Sequence, residues 1–151
     1  GGNSPDQYLI SIVVFHNRVL NQNITTLEDQ ERLLGVTLRG SGFGGGEVTL
    51  HSNNPAALDL KHGDWIMLSA LSSVGPQFRW YKITYIDDEV QQLTANDFYR
   101  AATIQGPDWN RTEWLPTAGA SSPQYPTRAT FVPHVVGVFE KTIRIETTSL
   151  Y

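Results

Sequence analysis

Phe78-Arg-Trp-Tyr-Lys-Ile-Thr-Tyr-Ile86 decides the fold class. In an extended chain Tyr81, Ile83 and Tyr85 share one face, while Trp80, Lys82, Thr84 and Ile86 share the other. Aromatic and β-branched side chains dominate both sets, as suits a pleated, half-buried surface. Asp87-Asp88-Glu89 ends the run in a solvated turn. Upstream, Gly63-Asp64 feeds Trp65-Ile-Met-Leu-Ser69, with glycine supplying a positive φ at the strand entry. A turn over residues 72–77 contains Gly75-Pro76, so residues 63–86 read as a hairpin or meander.

The same pattern repeats on both sides. Leu34-Gly-Val-Thr-Leu-Arg39 and Glu47-Val-Thr-Leu-His51 alternate cleanly, and Gly40-Ser-Gly-Phe-Gly-Gly-Gly46 between them reads as a hairpin connection. Arg100-Ala-Ala-Thr-Ile-Gln105 is a further strand, closed by Gly106-Pro107. In Val135-Val-Gly-Val-Phe-Glu-Lys-Thr-Ile-Arg-Ile-Glu146, Phe139, Ile143 and Ile145 alternate against Glu140, Thr142, Arg144 and Glu146. That predicts one core face and one wet face. Tyr8-Leu-Ile-Ser-Ile-Val-Val-Phe-His16 is apolar on both faces, which predicts a central or covered strand. Thr26, three residues before Asp29, is placed to cap a short helical turn. Residues 109–126 hold three prolines and two tryptophans with no periodicity.

The expectation is all-β: an antiparallel β-sandwich or barrel of about seven to eight strands with one long Pro/Trp-containing loop. Residues 1–151 read as a single β-domain, with 1–6 a flexible lead. The chain opens Gly1-Gly2 and its only methionine is Met67, so the opening is expected to be a processed terminus, a tag scar or the edge of a larger protein.

Composition narrows the function classes. Charged residues are 17% of the chain, below the roughly 25% of an average globular protein, and the net charge is −4 with basic residues scattered. A nucleic-acid partner is not expected, because no basic stripe exists to neutralise phosphates. No run approaches the ~20 apolar residues of a membrane span. With no cysteine, disulfides and thiolate chemistry are excluded.

Chemical motifs are few. The glycine run lacks the Lys-Ser/Thr of a phosphate loop and leads into a strand beginning at Glu47. Ser41 lacks a glycine two residues before it, so it is no nucleophile elbow. His16, His51, His62 and His134 show no paired metal-ligand spacing, and Asp87-Asp88-Glu89 has no calcium loop around it. No catalytic, metal or cofactor residue is assigned, and the chain is read as a non-enzyme.

Contact residues are better candidates. Tyr8, Leu9, Ile10, Ile12 and Val14 fit a strand that completes a neighbour's sheet, against the plainer reading of a strand within its own. Trp109 and Trp114, with Arg111 beside them, are read first as tucking down onto the core; subunit anchors come next, ahead of a carbohydrate platform. Asn23-Ile-Thr25 and Asn110-Arg-Thr112 are acceptor triplets for N-glycosylation.

Ile12-Val-Val-Phe-His-Asn-Arg18, then Gly63-Asp-Trp65 with Arg79-Trp-Tyr-Lys-Ile83, then Val135-Val-Gly-Val-Phe-Glu140 occur in that order. The layout resembles the β-rich C-terminal domains of bacterial prepilin-type, pilin- and pseudopilin-like surface proteins. The resemblance implies an extracellular assembly domain without catalysis. The expected role is therefore a structural subunit of an extracellular filament or cell-surface structure, with copies of itself or other structural subunits as partners. The alternatives are a virion structural protein (head-tail connector or decoration domain) and a carbohydrate-binding module.

Overall fold

The computed structural model describes residues 6–18, 26–39, 45–72, 75–109 and 127–145. Within them lie nine strands: β1 (Asp6–Phe15), β2 (Arg32–Leu38), β3 (Gly45–Ser52), β4 (Trp65–Ser72), β5 (Gly75–Ile86), β6 (Gln91–Thr94), β7 (Asp97–Gln105), β8 (Thr127–Phe131) and β9 (Val135–Ile145). Helical structure among the described residues is confined to two 3-10 turns, Leu27–Asp29 and Pro55–Leu58. The all-β antiparallel expectation is met, with more strands than expected.

Six strands close into a barrel. Their order is β3-β2-β8-β4-β5-β7, and β7 pairs back onto β3 from Gly45↔Gln105 to Ser52↔Phe98. Closure gives each of these six strands a partner strand on both sides. β6 joins β7 at Gln91↔Tyr99, on the side where β5 pairs further along at Ile83↔Ile104. Alternate residues point inward: Leu34 and Val36, Val48 and Leu50, Ile66 and Leu68, Tyr81 and Ile83, Ala102 and Ile104, Ala129 and Phe131 form the buried core.

The Phe78–Ile86 reading is right for Tyr81 and Ile83 and wrong beyond them. Thr84 is an extra residue, because Ile83 pairs with Ile104 while Tyr85 pairs with Thr103. One inserted residue reverses the pleat. Tyr85 is therefore exposed, and Ile86 packs against the core. The Thr84 hydroxyl donates to the Thr103 carbonyl at 3.2 Å, bracing the bulge. The Gly63-Asp64 entry forms as expected, with Gly63 at φ +92° and its N–H bonded to the Ile83 carbonyl at 2.8 Å. β2 and β3 pair as a consecutive antiparallel couple, while the tip over 40–44 lies outside the described residues.

A plug closes one end of the barrel. Leu58 and Leu60 are fully buried at the Pro55–Leu58 turn, which Asn54 caps by accepting from the Ala56 N–H at 3.1 Å. Arg32 donates through Nη1 to the Ala57 and Asp59 carbonyls, each at 3.1 Å, with its guanidinium 4.2 Å above the Phe131 ring. Arg100 donates to the Leu58 and Leu60 carbonyls at 2.9 and 3.1 Å. These two arginines satisfy carbonyls that a short 3-10 turn leaves open.

The ends of the described chain depart most from expectation. β1 is neither a central strand nor covered. Among the described residues it pairs antiparallel with β9 alone, in register from Asp6↔Ile145 to Val14↔Gly137, as a separate two-stranded ribbon. The apolar residues of β9 alternate as read, yet they make no core face: Phe139 is 63% exposed and Ile145 55%.

Candidate functional site

The ribbon's register places directly opposed residues on the same face. One face collects Tyr8 with Ile143, Ile10 with Lys141, Ile12 with Phe139, and Val14 with Gly137, ending at Asp6 with Ile145. Every large apolar side chain in that set is exposed, Ile12 at 54% and Tyr8 at 49%. The opposite face carries Gln7 with Arg144, Leu9 with Thr142, Ser11 with Glu140, and Val13 with Val138. A ten-residue strand is about 33 Å long, so the first face is a largely apolar strip of that length, interrupted by Lys141 and ending at Asp6. Isolated two-stranded ribbons are marginal in water, and an apolar patch of a few hundred Å² is often a functional surface.

The root of the ribbon is pinned. His16 donates its N–H to the His134 carbonyl at 2.8 Å, and His134, at φ +66°, places its imidazole Nε2 2.6 Å from Asp29 Oδ1. Thr26 donates its hydroxyl to the other Asp29 oxygen at 2.6 Å. The Thr26–Asp29 pairing is as the spacing suggested, although the hydroxyl serves the carboxylate and not a backbone N–H. The Thr26 hydroxyl, and then His134, hold the Asp29 carboxyl below its ordinary range. Between Val14 and Phe15 the register slips, which leaves Val135 buried and Val136 exposed.

Beside the root, the ribbon's second face looks onto the barrel wall across an open cleft of about 340 Å³. Trp65 and Trp80 line it from β4 and β5, with Lys82, Gln105 and Pro107; Val138 and Glu140 line it from β9. Both indoles stand on the outward parity of the wall, since Ile66 and Tyr81 beside them point into the core.

A polar chain occupies a different part of the wall. His51, on β3, meets Thr37 Oγ1 at 3.1 Å through Nε2 and Asp97 Oδ1 at 3.2 Å through Nδ1, with the Tyr99 ring 6.1 Å away. The order hydroxyl, imidazole, carboxylate has the logic of an activated nucleophile. The cleft, however, is lined by none of the three. Their hydrogen bonds satisfy a buried imidazole on the sheet surface. Among the described residues there is no group of three or more His, Asp or Glu side chains arranged to hold a metal ion, and no helix long and apolar enough to cross a membrane.

The expected contact residues separate cleanly. Tyr8, Leu9, Ile10, Ile12 and Val14 are all exposed on β1. Leu9 alone faces the other way from the remaining four. Trp109 is no exposed anchor and no sugar platform: it is buried in the core, edge-on to Tyr81 with ring centroids 6.4 Å apart. Trp114, Asn23 and Asn110 lie outside the described residues. The tryptophans that do line a cleft are Trp65 and Trp80, which a strand reading assigns to packing. Their shared outward parity was the available signal. Phe139, Ile143 and Ile145 were missed because alternation reports two faces and not which one is wet. Comparison with protein-family models, with curated proteins and with solved structures finds no match.

Proposed function

We propose that the chain is a structural subunit that associates with copies of itself through the β1–β9 ribbon. One observation carries this reading: an ordered strand pair leaves Tyr8, Ile10, Ile12, Val14, Phe139, Ile143 and Ile145 exposed on one face. Burying a side chain of this kind contributes about 1.5–3 kcal/mol relative to leaving it in water, so the exposed strip is a standing drive toward association. The resemblance to pilin-like surface domains favours an extracellular filament or cell-surface structure as the setting.

Sedimentation velocity over a concentration series tests the reading. Wild-type protein is expected to form larger species as concentration rises. The double variant Ile12→Asp, Phe139→Asp is expected to stay monomeric with an unchanged far-ultraviolet circular dichroism spectrum. A wild type that remains monomeric up to millimolar concentration would overturn the proposal. Electron microscopy of the associated fraction then distinguishes filaments from closed particles.

A further inference from the structure

We propose that the ribbon of one subunit is received by the cleft at the ribbon root of the next, so that copies join head to tail. The inference rests on self-association through the ribbon and names the surface that receives it.

Size is the first argument. A strip about 33 Å long and two strands wide, at about 4.8 Å between strands, offers on the order of 300–400 Å². A standard interface buries about 800 Å² per partner. Two ribbons stacked face to face are therefore too small for a stable pair, and a lasting contact has to recruit barrel surface as well.

The cleft is a place on the described wall suited to that. Trp65, Trp80 and Pro107 give it apolar walls, Val138 lines the ribbon side, and its 340 Å³ admits large side chains such as Phe139 or Tyr8 from a neighbour. Binding energy concentrates where aromatic walls desolvate an inserted anchor. Lys82 and Glu140 stand in the lining, and the incoming strip carries Lys141 and Asp6, one charge of each sign on either side. Opposite-sign pairing then favours one orientation of the ribbon in the cleft.

The two partners of this contact are different surfaces of one molecule. The apolar strip faces away from the wall, whereas the cleft lies under the ribbon's other face. A contact between unlike surfaces is heterologous: it leaves a free strip at one end and a free cleft at the other, so it propagates into a ring or a filament.

A complementation experiment tests this. One variant carries Ile12→Asp and Phe139→Asp, which spoil the strip and leave the cleft intact. The other carries Trp80→Ala, with Gln105→Trp as a second version that fills the cleft from an exposed position should Trp80→Ala fail to fold. Each variant alone is expected to be monomeric, and an equimolar mixture is expected to give a one-to-one complex that does not extend. Cleft variants that assemble like wild type would overturn this inference while leaving ribbon-driven association standing, as would monomeric variants that do not complement. A monomeric wild type would remove both.

Discussion

Gly106 sits where the wall and the core meet. An added Cβ would lie 2.6 Å from Tyr81 Cδ1 and 2.7 Å from the Trp80 carbonyl oxygen. Tyr81 cannot retreat, because its ring is fully buried and its hydroxyl donates to the Pro107 carbonyl at 2.7 Å. Gly106→Ala is therefore expected to cost about 1–3 kcal/mol by overpacking, read as a lower denaturation midpoint with an unchanged slope. Asp29 supplies a pH-dependent contribution. Its carboxyl is held below the ordinary range in the folded protein, so the stabilisation is present at neutral pH and is lost as pH falls below about 4. Asp29→Asn is expected to lower the melting temperature at pH 7, with the gap to wild type closing in acid. A gap that persisted at pH 2 would show that the carboxylate charge is not the cause.

Five of the six barrel strands were legible because both requirements on a strand agree there. Leu34, Val36, Val48 and Leu50 alternate in sequence and fill one interior in space. Two elements escaped. β8 is short, and two of its three buried residues are Thr127 and Ala129, so its inward face carries little apolar signal. β6 is wholly exposed and has no apolar face to detect. The ribbon is the element whose existence has the most direct test. Tyr8 and Ile143 are directly opposed, a position where antiparallel Cα atoms stand about 4.5–5.5 Å apart, within disulfide reach. Because the chain has no cysteine, the double variant Tyr8→Cys, Ile143→Cys should oxidise to a bridge within one molecule, and mass spectrometry of the cross-linked peptides reads it without competing pairs. A bridge found only between molecules would mean that β1 pairs with a neighbour's β9.

At the scale of the whole molecule, a closed barrel and an open ribbon divide the work. The barrel buries its core, plugs one end with Leu58 and Leu60, and gives each of its six strands a partner on both sides. Among the described residues the ribbon does the reverse, with two unpaired outer edges and an apolar face in water. Association through such a face is driven by removing apolar area from water, with charge pairs only orienting it. Raising the salt concentration is therefore expected to leave the proposed self-association intact or strengthen it, because screening shortens electrostatic reach while apolar burial persists. Sedimentation at low and high sodium sulfate measures this; dissociation at high salt would point to an electrostatic interface. By itself the sequence determined the class of the fold, since period-two alternation, aromatic strands and glycine turns admit an antiparallel β-protein and little else. It also placed Tyr8, Leu9, Ile10, Ile12 and Val14 among the contact candidates. Only the tertiary structure decided which apolar faces meet each other. Phe139 and Ile83 read alike as inward residues of alternating strands, but β5 is one stave of a closed wall, whereas β9 pairs, among the described residues, with β1 alone. Strand pairing at long range depends on barrel closure, a property of the whole chain that no single stretch encodes.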